Sequence, residues 1–134
     1  MIDCAKQFID LVDKGTIESL QKSKSEFISD DVCYEIINHY PDYILNLVTN
    51  KKLSLPVLRK LAQSKSWRIR FWVAMKRKLD YELFKKLSQD RDEAVRRNIA
   101  YNAKTPLEIL QTMYPDIVDD INEKIIERIK NKNK

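Results

Sequence analysis

Aromatic, methionine and arginine side chains occupy two short segments that lie 26 residues apart in the chain. The first contains Phe71, Trp72 and Met75, and the second contains Arg97 and Tyr101. Such side chains bury large areas at little entropic cost, so they dominate the hot spots of protein interfaces. The chemistry they predict is non-covalent recognition of another surface. We name this candidate partner-binding surface the aromatic–basic strip; its members are Arg68, Phe71, Trp72, Met75, Lys76, Arg97, Asn98 and Tyr101.

Residues that could act as acids, bases, nucleophiles or metal ligands are sparse. His39 is the only histidine, and neither a cysteine nor a carboxylate pair stands at a metal-ligand spacing from it. Cys4 and Cys33 are too few for a metal site and predict reduced thiols. Gly15 is the only glycine, so no glycine-rich loop can hold a phosphate. We therefore expect a protein that is not an enzyme and needs no metal or cofactor.

The elements that would position the strip recur with the same offset of 26 residues. The segment from Ile69 to Ala74 pairs with the segment from Val95 to Ala100, and a fixed period of this size predicts stacked structural repeats. A chain with 1 Gly, 4 Pro and 34% charged residues favours amphipathic helices over hairpins. The predicted fold class is all-α, a short right-handed α-solenoid of stacked two-helix repeats with a period of about 26 residues.

The same pattern predicts one domain that is divided into repeats along its length. Each full repeat has a first helix, a short polar turn and a second helix that carries the buried apolar pair. The predicted domain covers residues 1–130, with N-terminal capping helices at 1–30, a degenerate repeat at 31–52, repeats at 53–78, 79–104 and 105–130, and a frayed basic tail at 131–134.

Helix boundaries are predicted from capping residues. Gly15 should end the first helix in a left-handed conformation, and Thr16 should cap the second. Asp30 or Asp31 is expected to cap the third. In the last repeat, four isoleucines spaced four residues apart predict one buried stripe along the terminal helix, namely Ile117, Ile121, Ile125 and Ile129.

Arg70 and Arg96 occupy the same position in successive repeats, and Asp90 and Asp92 lie in the polar turn ahead of Arg96. A repeated arginine beside an acidic turn favours structural ion pairs between repeats over a ligand site. The turn ahead of Arg70 carries serines instead. Arg70 should therefore either reach Asp92 in the next turn or remain available to a ligand.

The segment from Leu87 to Leu110 resembles the leucine-rich repeat variant and HEAT-like families of α-solenoids. It has an Asp-rich turn, a helix of the form Val-Arg-x-x-Ile-Ala and a Pro that opens the next helix. The resemblance covers residues 53–121 well and residues 31–52 weakly. It implies a binding scaffold, because these families include protein adaptors, lyase subunits, nucleic-acid binders and immunity proteins of bacterial toxin systems. The iron–sulfur cysteines of some of these proteins have no counterpart here.

Positive charge is concentrated in the central repeats. Residues 59–104 carry 14 basic and 5 acidic side chains, whereas residues 1–58 carry 6 and 9 and residues 105–134 carry 5 and 6. A polyanion or an acidic protein surface would be drawn to the centre. Nucleic-acid binding through the basic central repeats is therefore one alternative. Against it, cations such as Lys60 and Lys85 are expected on solvated outer helix faces.

The favoured hypothesis is a non-enzymatic solenoid, monomeric alone, that binds one protein partner on the concave side through the aromatic–basic strip. The resemblance implies a narrower form, an immunity protein or inhibitor that neutralises a bacterial toxin domain. Packing of Trp67, Phe71 or Trp72 between repeats remains open, and an enzyme or an enzyme subunit with a site between repeats is a third alternative. The segment from Met1 to Lys14 lacks a long apolar run, which predicts a cytoplasmic protein without a membrane span.

Overall fold

The computed structural model describes residues 1–132, and its regular elements are helices. The one strand-like pairing within this range is an isolated bridge between Ile2 and Ile28. No helix in the described chain has both the length and the apolar character needed to cross a membrane. The predicted all-α class is confirmed. In chain order the helices are α1 (Ala5–Lys14), α2 (Ile17–Ser25), α3 (Asp30–His39), a 3-10 helix (Pro41–Tyr43), α4 (Ile44–Val48), α5 (Leu55–Leu61), α6 (Trp67–Ala74), α7 (Tyr81–Ser88), α8 (Glu93–Tyr101), α9 (Leu107–Met113) and α10 (Asp119–Lys132).

The chain divides into two compact units, Met1–Leu61 and Ala62–Lys134. The first unit contains α1 to α5, and the second contains α6 to α10. The division lies inside the predicted repeat 53–78, at the end of its first helix. The turn that follows, with Ser64 and Ser66, carries no acidic residue, unlike the corresponding turn in the next repeat.

In the first unit, α1 packs on α2 and α3, and α3 also contacts α4 and α5. Gly15 ends α1 with a φ of 66°, the left-handed conformation that favours glycine, and the Thr16 hydroxyl accepts a hydrogen bond at the start of α2, so both predictions are confirmed. The prediction that Asp30 or Asp31 caps α3 is wrong. Ser29 has the extended backbone of a cap and accepts from the Val32 amide, while both aspartates lie in the first helical turn.

In the second unit, α8 packs between α6 and α10, and α7 and α9 pack against their neighbouring helices. The apolar pairs predicted for the second helix of each repeat are all buried. They are Ile69 and Val73 on α6, Val95 and Ile99 on α8, and Ile121 and Ile125 on α10. Because α6 contacts α8, the residues predicted to form the strip are brought together by these two helices.

The end of the second unit departs from two predictions. Ile117 is 92% exposed, because α10 begins only at Asp119. Of the predicted stripe, Ile121 and Ile125 are buried and Ile129 is half-buried. At the other end, α10 continues to Lys132, whose ammonium group donates to the carbonyl oxygen of Thr105. Residues 131 and 132 of the predicted frayed tail are therefore helical, and residues 133–134 lie outside the described residues.

Candidate functional site

The aromatic–basic strip is built by α6, α8 and the two residues that follow α6. Arg68, Met75 and Tyr101 are exposed, and the other members are half-buried. Met75 and Tyr101 expose 48% and 52% of their surface, a high fraction for large side chains with apolar groups. The predicted residues therefore meet on neighbouring helices and leave a mixed surface accessible to a partner.

Three aromatic rings of α6 pack edge to face in series. The ring centroids of Trp67 and Phe71 are 6.1 Å apart, and those of Phe71 and Trp72 are 6.3 Å apart. Such T-shaped pairs fix ring orientation. None of the three rings is fully buried, and Trp67 is 42% exposed. Trp67 was not assigned to the strip, although its helical spacing of four residues from Phe71 is the signal that could have placed it there.

Asn98 connects the two helices of the strip. Its side-chain amide donates a 3.0 Å hydrogen bond to the carbonyl oxygen of Phe71. A depression of about 220 Å³ lies beside it, lined by Met75, Tyr101, Arg77, Asn102 and Ala103 in addition to Asn98. Arg77, Asn102 and Ala103 were not predicted as site residues from the sequence. A partner side chain that enters this depression would contact Met75 and Tyr101 together.

One of the three cations of the strip, Arg97, is paired with a carboxylate of α10. Arg97 donates two hydrogen bonds, of 2.7 and 3.2 Å, to the carboxylate of Asp120. These hydrogen bonds raise the pKa of Arg97 and lower the pKa of Asp120. The ammonium group of Lys124 lies 4.8 Å from the centroid of the Tyr101 ring and 3.5 Å from a carboxylate oxygen of Glu127. The partner of Arg97 was not foreseen, because Asp120 lies 23 residues away.

Arg70 and Asp90 form a buried ion pair. Their side chains are 8% and 9% exposed, and Arg70 donates two parallel hydrogen bonds, of 2.8 and 3.1 Å, to the carboxylate. A third bond runs from Arg70 to the carbonyl oxygen of Ser64. Burial would raise the pKa of Asp90. The hydrogen bonds from Arg70 and from the Asp92 amide, together with the charge of Arg70, outweigh burial and lower that pKa. Arg70 is thus engaged by the next turn, through Asp90.

Arg96 repeats this geometry 26 residues later, with a different acid from the one expected. It donates to Asp116 at 2.8 and 3.3 Å and to the carbonyl oxygen of Asp90 at 2.9 Å. Asp92, which was expected in an ion pair, instead accepts a 2.8 Å hydrogen bond from the amide of Ala94. The reason is its position as the residue that caps α8, with an extended backbone.

Two asparagines bind the carbonyl groups at the ends of preceding helices, and we name them the carbonyl clamps. Asn102 donates to the carbonyl oxygens of Ala74 and Lys76 at 2.9 and 2.8 Å. Asn50 donates to those of Ser23 and Glu26, both at 2.9 Å. Each clamp also accepts a hydrogen bond from the amide two residues later. The clamps satisfy carbonyls that a helix end leaves without partners.

Sequence reasoning missed the carbonyl clamps, although a signal for them exists. Asn-Lys-Lys at residues 50–52 and Asn-Ala-Lys at residues 102–104 are two periods apart. In the intervening copy the corresponding position is Lys76, and in the last copy it is Arg128. Arg128 also donates to two carbonyl oxygens, those of Ala100 and Asn102.

Two further observations concern metal ligands and the buried thiol. In residues 1–132 no group of three or more His, Cys, Asp and Glu side chains is arranged to hold a metal ion. Cys33 is buried, and burial, together with the charge of Asp30 and against its own backbone hydrogen bond, raises the pKa of its thiol to about 12. A thiol with such a pKa is a poor nucleophile at neutral pH.

Comparison with known proteins gives no assignment: the chain matches no protein-family model, and no curated protein or solved structure is significantly similar to it.

Proposed function

We propose that this protein is a non-enzymatic binding protein that holds one protein partner on the aromatic–basic strip. The observation that carries the proposal is the exposure of two members of the strip that line one depression, Met75 at 48% and Tyr101 at 52%. Large apolar side chains that gather on one exposed surface mark interaction sites in folded proteins. The edge-to-face aromatic series holds this surface in a fixed shape, which lowers the entropic cost of binding.

The charges of the strip favour a protein partner over nucleic acid. Phosphate binding needs arginine and lysine groups that are free to replace counterions. Arg97 is already held by both oxygens of Asp120, so a phosphate would have to displace a carboxylate. Nucleic-acid binding through the basic central repeats is the alternative, and it would use cations other than Arg97, such as Arg68, Lys85 and Lys104.

We also propose that the helices form the two-helix repeats of an α-solenoid with a period of about 26 residues. Arg70 and Arg96 support this, because each binds a carbonyl six residues earlier and a carboxylate 20 residues later. Asn50 and Asn102 support it again with matching clamps 52 residues apart. Circular dichroism and stability of a chain lengthened by one further copy of residues 79–104 would test the repeat. A folded, more stable chain is expected, and an unfolded one would contradict the proposal.

A narrower proposal follows from the resemblance to HEAT-like proteins: a cytoplasmic inhibitor that neutralises a bacterial toxin domain. It depends on the resemblance rather than on a particular contact. A toxin gene beside the gene for this chain is the expected finding, together with rescue of growth when both are expressed. Rescue that survives loss of the strip would contradict the role of the strip in inhibition.

The main experiment compares capture of cellular proteins by the wild-type chain and by two double variants. Met75→Ser with Tyr101→Ser removes the most exposed groups of the strip. Tyr81→Ser with Tyr114→Ser is the matched control, because these tyrosines are 46% and 52% exposed and lie on other elements. All four side chains are exposed, so both variants are expected to keep the stability of the wild type.

The proposal expects a protein that is bound by the wild type and the control and is lost from the strip variant, with a decrease in affinity of about tenfold or more. Isothermal titration with the purified partner then gives the stoichiometry, expected to be one to one. Equal capture by all three chains, or a captured molecule that is RNA or DNA, would overturn it.

A further inference from the structure

A second concave surface lies in the second unit, on the side of the turns before α6 and α8. It is an open cleft of about 510 Å³. Four cationic side chains line it, Lys65, Arg70, Lys86 and Arg91, against a single carboxylate, Asp90. We name it the basic cleft. The carboxylates that pair with Arg97 and Lys124, those of Asp120 and Glu127, do not line this cleft.

The cations of the basic cleft differ in how they are held. Arg70 is 6% exposed and uses three of its five N–H groups on Asp90 and Ser64, so its position is fixed before any ligand arrives. Lys65, Lys86 and Arg91 are exposed, and none of them forms an ion pair with any residue in 1–132. Three exposed cations that form no ion pair within residues 1–132 thus line one concave surface around a buried ion pair.

We infer that the basic cleft binds the carboxylates of an acidic segment of the protein partner. This inference rests on the proposed function. Charge complementarity is the first argument, since like charges gathered without counterions attract the opposite charge and raise association rates. Continuity is the second, because Lys65 lies two residues before Trp67, the exposed ring that begins α6. A partner seated against α6 therefore has the cleft within reach.

The lining of the cleft favours an acidic peptide over nucleic acid. Proteins that bind single strands combine a cationic groove with aromatic side chains on which bases stack. No aromatic side chain lines the basic cleft, and the carboxylate of Asp90 lies among its cations. The cations also converge on one cleft instead of forming a track. The geometry therefore suits a few carboxylates on a short segment.

The test uses a fluorescein-labelled octaglutamate peptide, and fluorescence anisotropy at low ionic strength measures its affinity. The wild-type chain is expected to bind it saturably and to lose affinity as salt is added. The triple variant Lys65→Ala, Lys86→Ala and Arg91→Ala should bind at least about tenfold more weakly. Arg70 is left intact, because removing it would leave Asp90 without its buried partner.

The matched control removes three exposed cations of the same unit that do not line the cleft, Lys78→Ala, Lys85→Ala and Lys104→Ala. It should bind the peptide with wild-type affinity, within about twofold, and circular dichroism should show that both variants are folded. Equal losses in the two triple variants would show that only net charge matters and would overturn the inference. Absence of binding by the wild type would overturn it as well.

Two further binding measurements distinguish an acidic peptide from nucleic acid and the basic cleft from the strip. A labelled single-stranded RNA of matched length that binds more tightly than the peptide, through the same three side chains, would replace the acidic peptide with nucleic acid and overturn the inference. The strip variant Met75→Ser with Tyr101→Ser should retain peptide binding. If the peptide fails to bind while partner capture still depends on the strip, the cleft assignment is wrong and the proposed function stands.

Discussion

Arg70 of α6 and Asp90 of the turn before α8 are joined by two parallel hydrogen bonds, and both side chains are largely shielded from solvent. The same arginine also binds the carbonyl oxygen of Ser64, so one side chain fixes its own preceding turn and the following one. Arg96 does the same with Asp116 and the carbonyl oxygen of Asp90. Asp90 is therefore bound by both arginines, through its side chain to one and its backbone to the other.

Replacement of Asp90 by Asn is expected to destabilise the second unit by about 3 kcal/mol, because the buried guanidinium of Arg70 would keep its charge and lose its partner. Urea denaturation followed by circular dichroism measures the change. Glu82→Gln is the matched control, since Glu82 is exposed on α7, and it should change stability by less than about 0.5 kcal/mol. Equal, small effects of the two substitutions would contradict a structural role for the pair.

Acid should weaken the fold through the same carboxylates. Burial would raise the pKa of Asp90 and Asp116, but their arginine partners and backbone amides lower it overall. The unfolded chain, with Asp near pKa 3.9, then takes up protons before the folded chain does. Stability is thus fully present above about pH 5 and falls as the pH drops through 4 towards the lower folded pKa. Thermal unfolding between pH 7 and pH 2.5 measures this decline, which should be shallower in Asp90→Asn.

Removal of a carbonyl clamp should lower the free energy of unfolding more than removal of an exposed asparagine. Asn102→Ala leaves the carbonyls of Ala74 and Lys76 without their donor, at a cost of about 2 kcal/mol. Asn50→Ala should behave similarly in the first unit. Asn38→Ala is the control, because Asn38 is exposed on α3. A clamp variant as stable as the control would mean that water replaces the amide without penalty.

The two cysteines should differ sharply in reactivity. Cys4 is exposed, whereas Cys33 is buried and its thiol pKa is raised to about 12. Iodoacetamide at pH 8 should therefore add one group to the native chain and two groups to the chain in denaturant, as read by intact mass. The Cys33→Ala variant should take up one group under both conditions. Two additions to the native chain at similar rates would contradict the burial of Cys33.

The buried face of each second helix could be predicted from the sequence, because burial of Ile69, Val73, Val95 and Ile99 follows directly from their spacing. The exposure of Ile117 could not be predicted in this way. Its spacing fits the stripe, but periodicity does not show where a helix begins, and α10 starts two residues later. The all-helical class followed from composition and period, whereas the division after Leu61 has no comparable signal.

The gathering of the strip on α6 and α8 followed from the repeat, but its electrostatics did not. The partner of Arg97 is Asp120, which belongs to a third helix, and no local pattern joins residues so far apart. The roles of Asp90 and Asp92 could not be predicted from the sequence either, although the two residues are close in the chain. They lie two residues apart in one turn, yet one binds an arginine and the other caps a helix, because the turn aims their side chains in different directions.

The contact that Asn102 makes with the end of α6 depends on the amide form of its side chain. Hydrolysis of its side-chain amide, a reaction that limits the lifetime of asparagine at high temperature, yields a carboxylate, which accepts hydrogen bonds but donates none. The carboxylate would face the carbonyl oxygens of Ala74 and Lys76 with like partial charge, and the contact that closes the end of α6 would become repulsive. A change of one mass unit at Asn102 would therefore act on the segment between Ala74 and Lys76, which carries Met75.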